Sequence, residues 1–323
     1  MQKRKLKKSV KLILAGVLLL AISLVIFFTS RAIASSTREA NEDFGSITSV
    51  TGVPDTEEEN ILTFIMFDVG NGQSIFIDSG ENEVLIDAGR DDEDAEKIIE
   101  EISDYVDGKL DYVIASTSDI DHVGGLSKIY DSFEVGESIY GDIANNPENS
   151  AYVSKAKAAG NFSEDKNMTI TLGPITTLTI YDIMDAQANR HNNSVVCLLK
   201  HGNNTFYMAG DLESEGEVLL RNTITDIDVM VLSNHGANTS NTNLDTLHPK
   251  ICLASCGKNN EEGYIHKEVL EDISDFSAKC FATYRSGDMT LTSDGESISY
   301  DMDSGDKLKI SDAGSKVKRK GGK

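Results

Sequence analysis

The chain has 323 residues, with 30 Lys/Arg against 53 Asp/Glu and a net charge of −23. That length holds one large domain with additions, and four cysteines without a repeated CxxC argue against a structural zinc ribbon. With no Trp and 7% aromatic residues, so acidic a chain argues against tight, nonspecific nucleic-acid binding through a stacking groove, because it repels a polyanion unless metal ions bridge the two.

The charge is uneven along the chain. Met1 to Lys11 carries six Lys/Arg and no acid, and Leu12 to Phe28 is an uncharged apolar run. A basic flank before such a run predicts an N-terminal transmembrane helix, with the flank in the cytoplasm and the remainder outside. Ala32-Ile33-Ala34 has the form of a signal-peptidase site, so secretion after cleavage at Ala34 is the alternative. The length of the run and Arg31 favour the retained anchor. The expected organisation is a cytoplasmic flank and signal anchor (1–35), an acidic linker (36–60), one layered α/β domain (61–303) and a basic, flexible tail (304–323) containing Lys316, Lys318, Arg319 and Lys320.

Within the domain, Ile61 to Phe67, Ser74 to Ile77 and Val84 to Ile86 read as short strands separated by Gly/Asn/Asp turns. Asp91 to Val106 has helical periodicity through Ile98, Ile99, Ile102 and Val106, with acids at its start where the helix dipole favours them. Tyr112 to Ala115 reads as a buried strand, followed by a polar turn and a helix from about Val123. Ser150 to Ala159 is a weak helix, and Met168 to Ile183 alternates like strands. Ser194 to Leu199 and Thr205 to Met208 form an expected hairpin across His201 to Asn204. Helices are expected over Glu213 to Arg221 and His266 to Ile273, and strands over Val229 to Leu232, Ile251 to Ala254 and Lys279 to Thr283. Strands that cluster and then alternate with helices, twice over, suggest two sheets with helices outside. Cys197, Cys252, Cys256 and Cys280 lie in or beside apolar runs and read as buried thiols.

The chemistry concentrates at strand ends. Asp119, Asp121 and His122 lie in the polar turn after Tyr112 to Ala115, before Gly124-Gly125. A carboxylate and an imidazole on a turn anchored by a buried strand suit zinc or a harder divalent ion. Asp211 follows strand Thr205 to Met208, His235 follows Val229 to Leu232, and His191 precedes the strand from Ser194. Acidic turns are common, and D-x-D-H alone is a weak signal. Ligand-type residues on four separate strand ends are a stronger one, since function in α/β sheets gathers there.

The order and wording of these segments resemble the extracytoplasmic metallo-β-lactamase domain of ComEC-type DNA-uptake proteins. The segments are Phe67-Asp68-Val69-Gly70-Asn71-Gly72, Leu85-Ile86-Asp87-Ala88-Gly89, Asp119 to Leu126, Asn192 to Val196, Ala209-Gly210-Asp211, His235-Gly236, Gly257 to Asn260, Thr283 to Asp288 and Ser293-Asp294-Gly295. The resemblance spans about residues 61 to 300 and implies an αββα four-layer sandwich with metal-dependent hydrolysis. Carried over, Asp121, His122 and His235 fall where that fold holds one metal. Asp211 falls on the carboxylate that bridges two, and Asp87 on a structural acid beneath the site. Relatives usually open the motif with His, where Thr117 stands here. The other metal site is then left to Asp119, Asp211 and His191, an oxygen-rich set suited to Mn²⁺, Mg²⁺ or Ca²⁺.

The expected cofactor is therefore one or two divalent ions, Zn or Mn, and no nucleotide cofactor. Asp121 and Asp119 are the candidate catalytic carboxylates, Asp119 as general base if one ion binds. The expected partner is a phosphate-ester substrate, DNA or wall polymer, with the membrane held through the N-terminal helix. A binding protein that has lost turnover, and a hydrolase of wall-polymer phosphodiesters or esters, are the alternatives. Tyr264 stands where relatives often have a late His, with His266 a lesser candidate nearby; His201 and His248 are expected to be plain surface residues.

Overall fold

The computed structural model describes residues 60–314 except 141–149, 161, 165–166, 182, 184–189, 238–240 and 259. The expected anchor, nearly all of the linker and Lys316 to Lys320 lie outside the described residues. Among the described residues, no helix is long and apolar enough to cross a membrane.

The chain begins with β1 (Leu62–Met66), β2 (Ile75–Asp78) and β3 (Glu83–Ile86), then α1 (Asp92–Ile102), β4 (Lys109–Ala115), α2 (Ile120–Val123) and α3 (Leu126–Ser132). β5 (Glu134–Tyr140), α4 (Ser150–Ala159), β6 (Phe162–Glu164), β7 (Met168–Gly173) and β8 (Thr176–Tyr181) follow. Next come β9 (Val196–His201), β10 (Asn204–Met208), α5 (Ser214–Leu220), β11 (Val229–Val231), α6 (Asn241–Leu247) and β12 (Ile251–Ala254). The chain continues through α7 (Lys267–Asp275), β13 (Lys279–Ala282), α8 (Thr283–Ser286), β14 (Met289–Ser293) and β15 (Ile298–Met302).

The strands form two mixed sheets, ordered β15-β14-β1-β2-β3-β4-β5-β6 and β13-β12-β11-β10-β9-β8-β7. In the first, β3 to β6 run parallel and the others antiparallel. In the second, β10 to β13 are parallel and β7 to β10 antiparallel. Period-two alternation sorts the side chains. On β1 and β2, Phe64, Met66, Ile75 and Ile77 enter a core shared with Phe206, Val229 and Leu253 of the second sheet. Ile65 and Phe76 point the other way, into a core with Ile98, Ile102 and Leu126 of α1 and α3. The second sheet has its own outer core against Leu244 of α6 and Val269 of α7. Strands buried on both faces suit parallel segments covered by helices. The layers are thus helix, sheet, sheet, helix, and Phe64 stacks on Phe206 between the sheets with ring centroids 5.2 Å apart.

α1 starts where expected, because the Asp91 carboxylate caps the backbone N–H groups of Glu93 and Asp94. It stops at Ile102 rather than Val106, where Ser103 Oγ donates to the Glu100 carbonyl at 2.7 Å. β5, β14 and β15 have no counterpart among the sequence expectations; β5 carries Gly136 and two glutamates, which blur its alternation. All four cysteines are buried thiols. The expectation for His201 needs correction. Its hairpin tip is covered by the turn around Gly295, and Gly202 lies so close that a Cβ there would meet Gly295 O at 2.5 Å. His201 is fully buried, bonded through Nδ1 to Thr176 Oγ1 and through Nε2 to Asn60 O, both at 2.8 Å. His248 is exposed, and its ring is bonded to Asp226.

One carboxyl pair at the rim of the first sheet titrates unusually. Partial burial, then the bond to and charge of Asp111 and the charge of Asp78, push Glu83 from its usual 4.5 up to about 7. Lys109, bonded to Asp111, keeps that neighbour ionised. A raised acid contributes stability that is complete below its unfolded value and is lost as pH rises through its folded value. Glu83→Gln should therefore melt higher than the unmodified chain at pH 8, with the gap closing by pH 5. Parallel melting profiles across that range, followed by circular dichroism, would refute this.

Candidate metal centre

Four chain segments deliver the ligand-type residues. β4 ends at Ala115, and Asp119 then opens α2, so Asp121 and His122 lie on a single helical turn rather than on a loop before a helix. Gly124 and Gly125 let that turn sit against the segment after β3. A Cβ on Gly124 would lie 1.7 Å from Arg90 O, and one on Gly125 2.2 Å from Ala88 O. β10 leads through Gly210, at φ +52°, to Asp211. β11 leads to Ser233-Asn234-His235-Gly236, where Asn234 (φ 48°), His235 (φ 55°) and Gly236 (φ 85°) are consecutively left-handed. Such a run is costly for residues with a Cβ and persists only where the surroundings hold it. A 3₁₀ turn, Arg190–Asn193, brings in His191 before β9.

These residues converge into two groups whose ligand atoms lie within 4.8 Å of one another: Asp121, His122 and His235, and Asp119, His191 and Asp211. Asp211 faces both groups. Its Oδ1 is 3.1 Å from His122 Nε2 and 3.7 Å from His235 Nε2. His235 Nε2 is 3.6 Å from Asp121 Oδ2, and His191 Nε2 is 3.3 Å from Asp119 Oδ2. Asp211, His122 and His235 are nearly sealed from solvent, while Asp121 and His191 are partly open.

The other nitrogen of each ring is held from behind. His122 Nδ1 donates to Asp87 Oδ2 at 2.8 Å. His235 Nδ1 donates to the Ser255 carbonyl at 2.8 Å. His191 Nδ1 donates to Glu213 Oε1 at 2.9 Å. A carbonyl or ionised carboxylate only accepts, so each Nδ1 carries a proton and each Nε2 turns its lone pair towards the carboxylates. Lone pair against carboxylate is unfavourable unless a proton or a cation lies between them. Burial opposes a charge on His122, but Asp211 and Asp87 together hold its pKa well above the usual 6.5. The bond to Asp119, against burial and with help from Glu213, raises His191 to about 9. Burial opposes ionisation of Asp211 too, yet His122 and the neighbouring rings hold its pKa well below the usual carboxylate range.

The donor set fits a divalent cation. His122 Nε2, His235 Nε2 and Asp211 Oδ1 are buried and converge within 3.1 to 3.7 Å, yet none makes a well-formed hydrogen bond among the described residues. A second tier of bonds of the kind that orients metal ligands is already in place behind every ring. All six expected ligands, Asp119, Asp121, His122, His191, Asp211 and His235, are therefore brought together. Asp87 lies beneath His122. Thr117 is buried, with its hydroxyl 3.4 Å from Asp119 Oδ2. His266 lines the mouth of the site but joins neither group. Tyr264 stacks on His235, with centroids 5.3 Å apart and planes at 22°. Sequence reasoning missed Glu213, Ser255, Ser116 and Gln73. The last two bond Asp87 Oδ2 at 2.6 and 2.9 Å, and only an E-x-x-x-E spacing along a helix face marks Glu213 locally.

Comparison with known proteins agrees with this geometry. The family model described as the metallo-beta-lactamase superfamily matches residues 67–246. Recombination protein 2 of Haemophilus influenzae is 26% identical over 229 residues, covering 69% of this chain and 28% of that protein. ComE operon protein 3 of Bacillus subtilis is 24% identical over 254 residues, covering 69% of this chain and 32% of that protein. The chain thus spans about a third of the length of these curated relatives, which bear out the ComEC-type resemblance. Among solved structures, the metallo-beta-lactamase fold protein YhfI of Bacillus subtilis is similar at a TM-score of 0.48 and 12% identity, covering 69% of this chain and 96% of that one. The chain belongs to the metallo-beta-lactamase superfamily.

Proposed function

We propose that this chain is an extracytoplasmic, membrane-anchored, metal-dependent hydrolase of phosphodiesters. The observation that carries this reading is the pair of ligand groups meeting at Asp211, with the buried Nε2 atoms of His122 and His235 facing carboxylates. Asp121, His122, His235 and Asp211 would hold one ion. Their two imidazoles suit zinc. Asp119, His191 and Asp211 would hold a second, and that carboxylate-rich set suits manganese. A divalent ion in such a site supplies water acidified towards neutrality and positive charge for a phosphoryl group. Asp87 fixes the His122 tautomer, and Glu213 fixes that of His191. With one ion bound, Asp119, almost buried and bonded to His191, would instead be placed to accept a proton from an attacking water. The basic flank and apolar run at residues 1–28 support the membrane anchor, with the domain outside. The name of the Haemophilus relative points to DNA as the ester, whereas the charge of −23 favours a smaller or wall-derived phosphodiester.

Thr117 favours a second reading, a binding protein that holds metal without turnover. It stands where relatives place a histidine, and a hydroxyl is a weak zinc ligand.

Metal content by mass spectrometry, alongside turnover of bis(p-nitrophenyl) phosphate with Zn²⁺ or Mn²⁺, tests both readings. The full chain should retain divalent metal and turn the ester over, and Asp121→Ala and His235→Ala should lose both properties. Retention of metal by both variants would end the proposed ligand assignment, and metal without turnover would favour the binding protein. Asp87→Asn should weaken metal affinity about ten- to a hundredfold, the usual effect of losing such a supporting bond, while the chain stays folded by circular dichroism. Unchanged affinity would show that Asp87 supports the fold alone.

A further inference from the structure

The mouth of the metal centre is a cavity of about 710 Å³ whose lining includes Asn71, Arg90, Asp121, His191, Glu261 and Tyr264. Glu262 lines it as well, so a phosphoryl group entering this space meets the carboxylates of Asp121, Glu261 and Glu262. Arg90 is the sole Lys or Arg among the described lining residues. It lies in the segment after β3, between two stretches that sequence reasoning did use, and was not itself singled out.

The backbone of Arg90 is held firmly. Its N–H donates to Asp94 Oδ2 at 2.7 Å. Its carbonyl lies where a Cβ on Gly124 would come within 1.7 Å, so the metal-motif turn is packed directly upon it. A Cβ on Gly72 would meet Arg90 N at 3.2 Å and Asp121 O at 2.8 Å. Gly89 precedes it at φ +70°. Two close approaches and one left-handed turn thus set Arg90 beside Asp121, and each needs glycine.

The side chain is held loosely by comparison. It is half-exposed, and its ion pair among the described residues is with Asp121 Oδ2 at 3.8 Å, longer than a hydrogen bond. An exposed pair at that distance contributes little to stability. A cation bound at Asp121 would take up that carboxylate's charge and leave the guanidinium facing the cavity. Its planar fork of donors matches two oxygens of one phosphoryl group, a geometry that a lysine ammonium lacks.

Resting on the hydrolase reading above, we propose that Arg90 binds the non-reacting oxygens of the substrate's phosphoryl group and so selects phosphate esters for this acidic pocket.

The test uses the full chain loaded with Mn²⁺ and inorganic phosphate as probe, by isothermal titration calorimetry. Arg90→Gln should weaken phosphate binding by at least about tenfold, the loss of one charge-assisted pair. Arg90→Lys should recover part of that loss, and both variants should keep the metal content of the unmodified chain. With bis(p-nitrophenyl) phosphate, Arg90→Gln should lower kcat/KM, with a raised KM as part of the loss. Equal phosphate affinity in the variant and the unmodified chain would overturn the proposal. Loss of metal from Arg90→Gln would also overturn it, by making Arg90 a support for Asp121. Phosphate binding that depends on Arg90, without ester turnover by the unmodified chain, would sustain the Arg90 assignment and remove the hydrolase reading. Turnover that ignores Arg90 would do the reverse.

Discussion

The buried carboxylate of Asp87 ties the centre together. It has no exposure to solvent and sits at φ 62° immediately after β3. Its Oδ1 accepts from Ser116 N at 2.7 Å, and its Oδ2 accepts from Ser116 Oγ, Gln73 Nε2 and His122 Nδ1. A buried charge is tolerable only when its lone pairs are filled, and these four donors fill them. The same bonds join the end of β3, the end of β4, the β1–β2 connection and the metal-motif turn. Removing the charge would weaken the bonds to donors from three segments and release the tautomer of one histidine.

From that hub the strain and the electrostatics follow one logic. Asp87, Asn234 and His235 occupy left-handed backbone conformations that L-residues avoid, and all three lie at or beneath the centre. The fold holds them through bonds on either side: Asn234 N donates to Gly210 O, and His266 N donates to Gly236 O. In return, three ring nitrogens face carboxylates at distances between 3.1 and 3.7 Å. Those carboxylates are why His122 and His191 hold their protons firmly. The centre is thus built to hold positive charge.

Segments that resemble the family but hold no ligand also have a structural account. Asn71 Oδ1 accepts from Gly257 N at 2.9 Å, across 186 residues of chain. Asp288 Oδ1 accepts from Asp68 N and from Lys97 Nζ, joining the loop before β14 to the first connection and to α1. Ser255 Oγ donates to Gly72 O at 2.6 Å, while the carbonyl of the same residue orients His235. The β1–β2 connection therefore serves as a clamp between the two sheets at the end where the ligands gather.

The sequence by itself determined the strand and helix pattern over most of the domain, because burial on a sheet imprints a period of two and burial on a helix a period near 3.6. It also determined which residues at strand ends could act as ligands, because Asp and His after an apolar run are visible locally. Tertiary structure decided which groups stand behind them. Glu213 is 22 residues from His191 and Ser255 is 20 from His235, and no local pattern relates such pairs. His201 illustrates the limit. A histidine in a polar hairpin turn reads as exposed, but the turn around Gly295, some ninety residues on, buries it. Arg90 was hidden for the same reason. Its role depends on the cavity it faces, and that cavity exists only once residues from Asn71 to His266 have been folded around it.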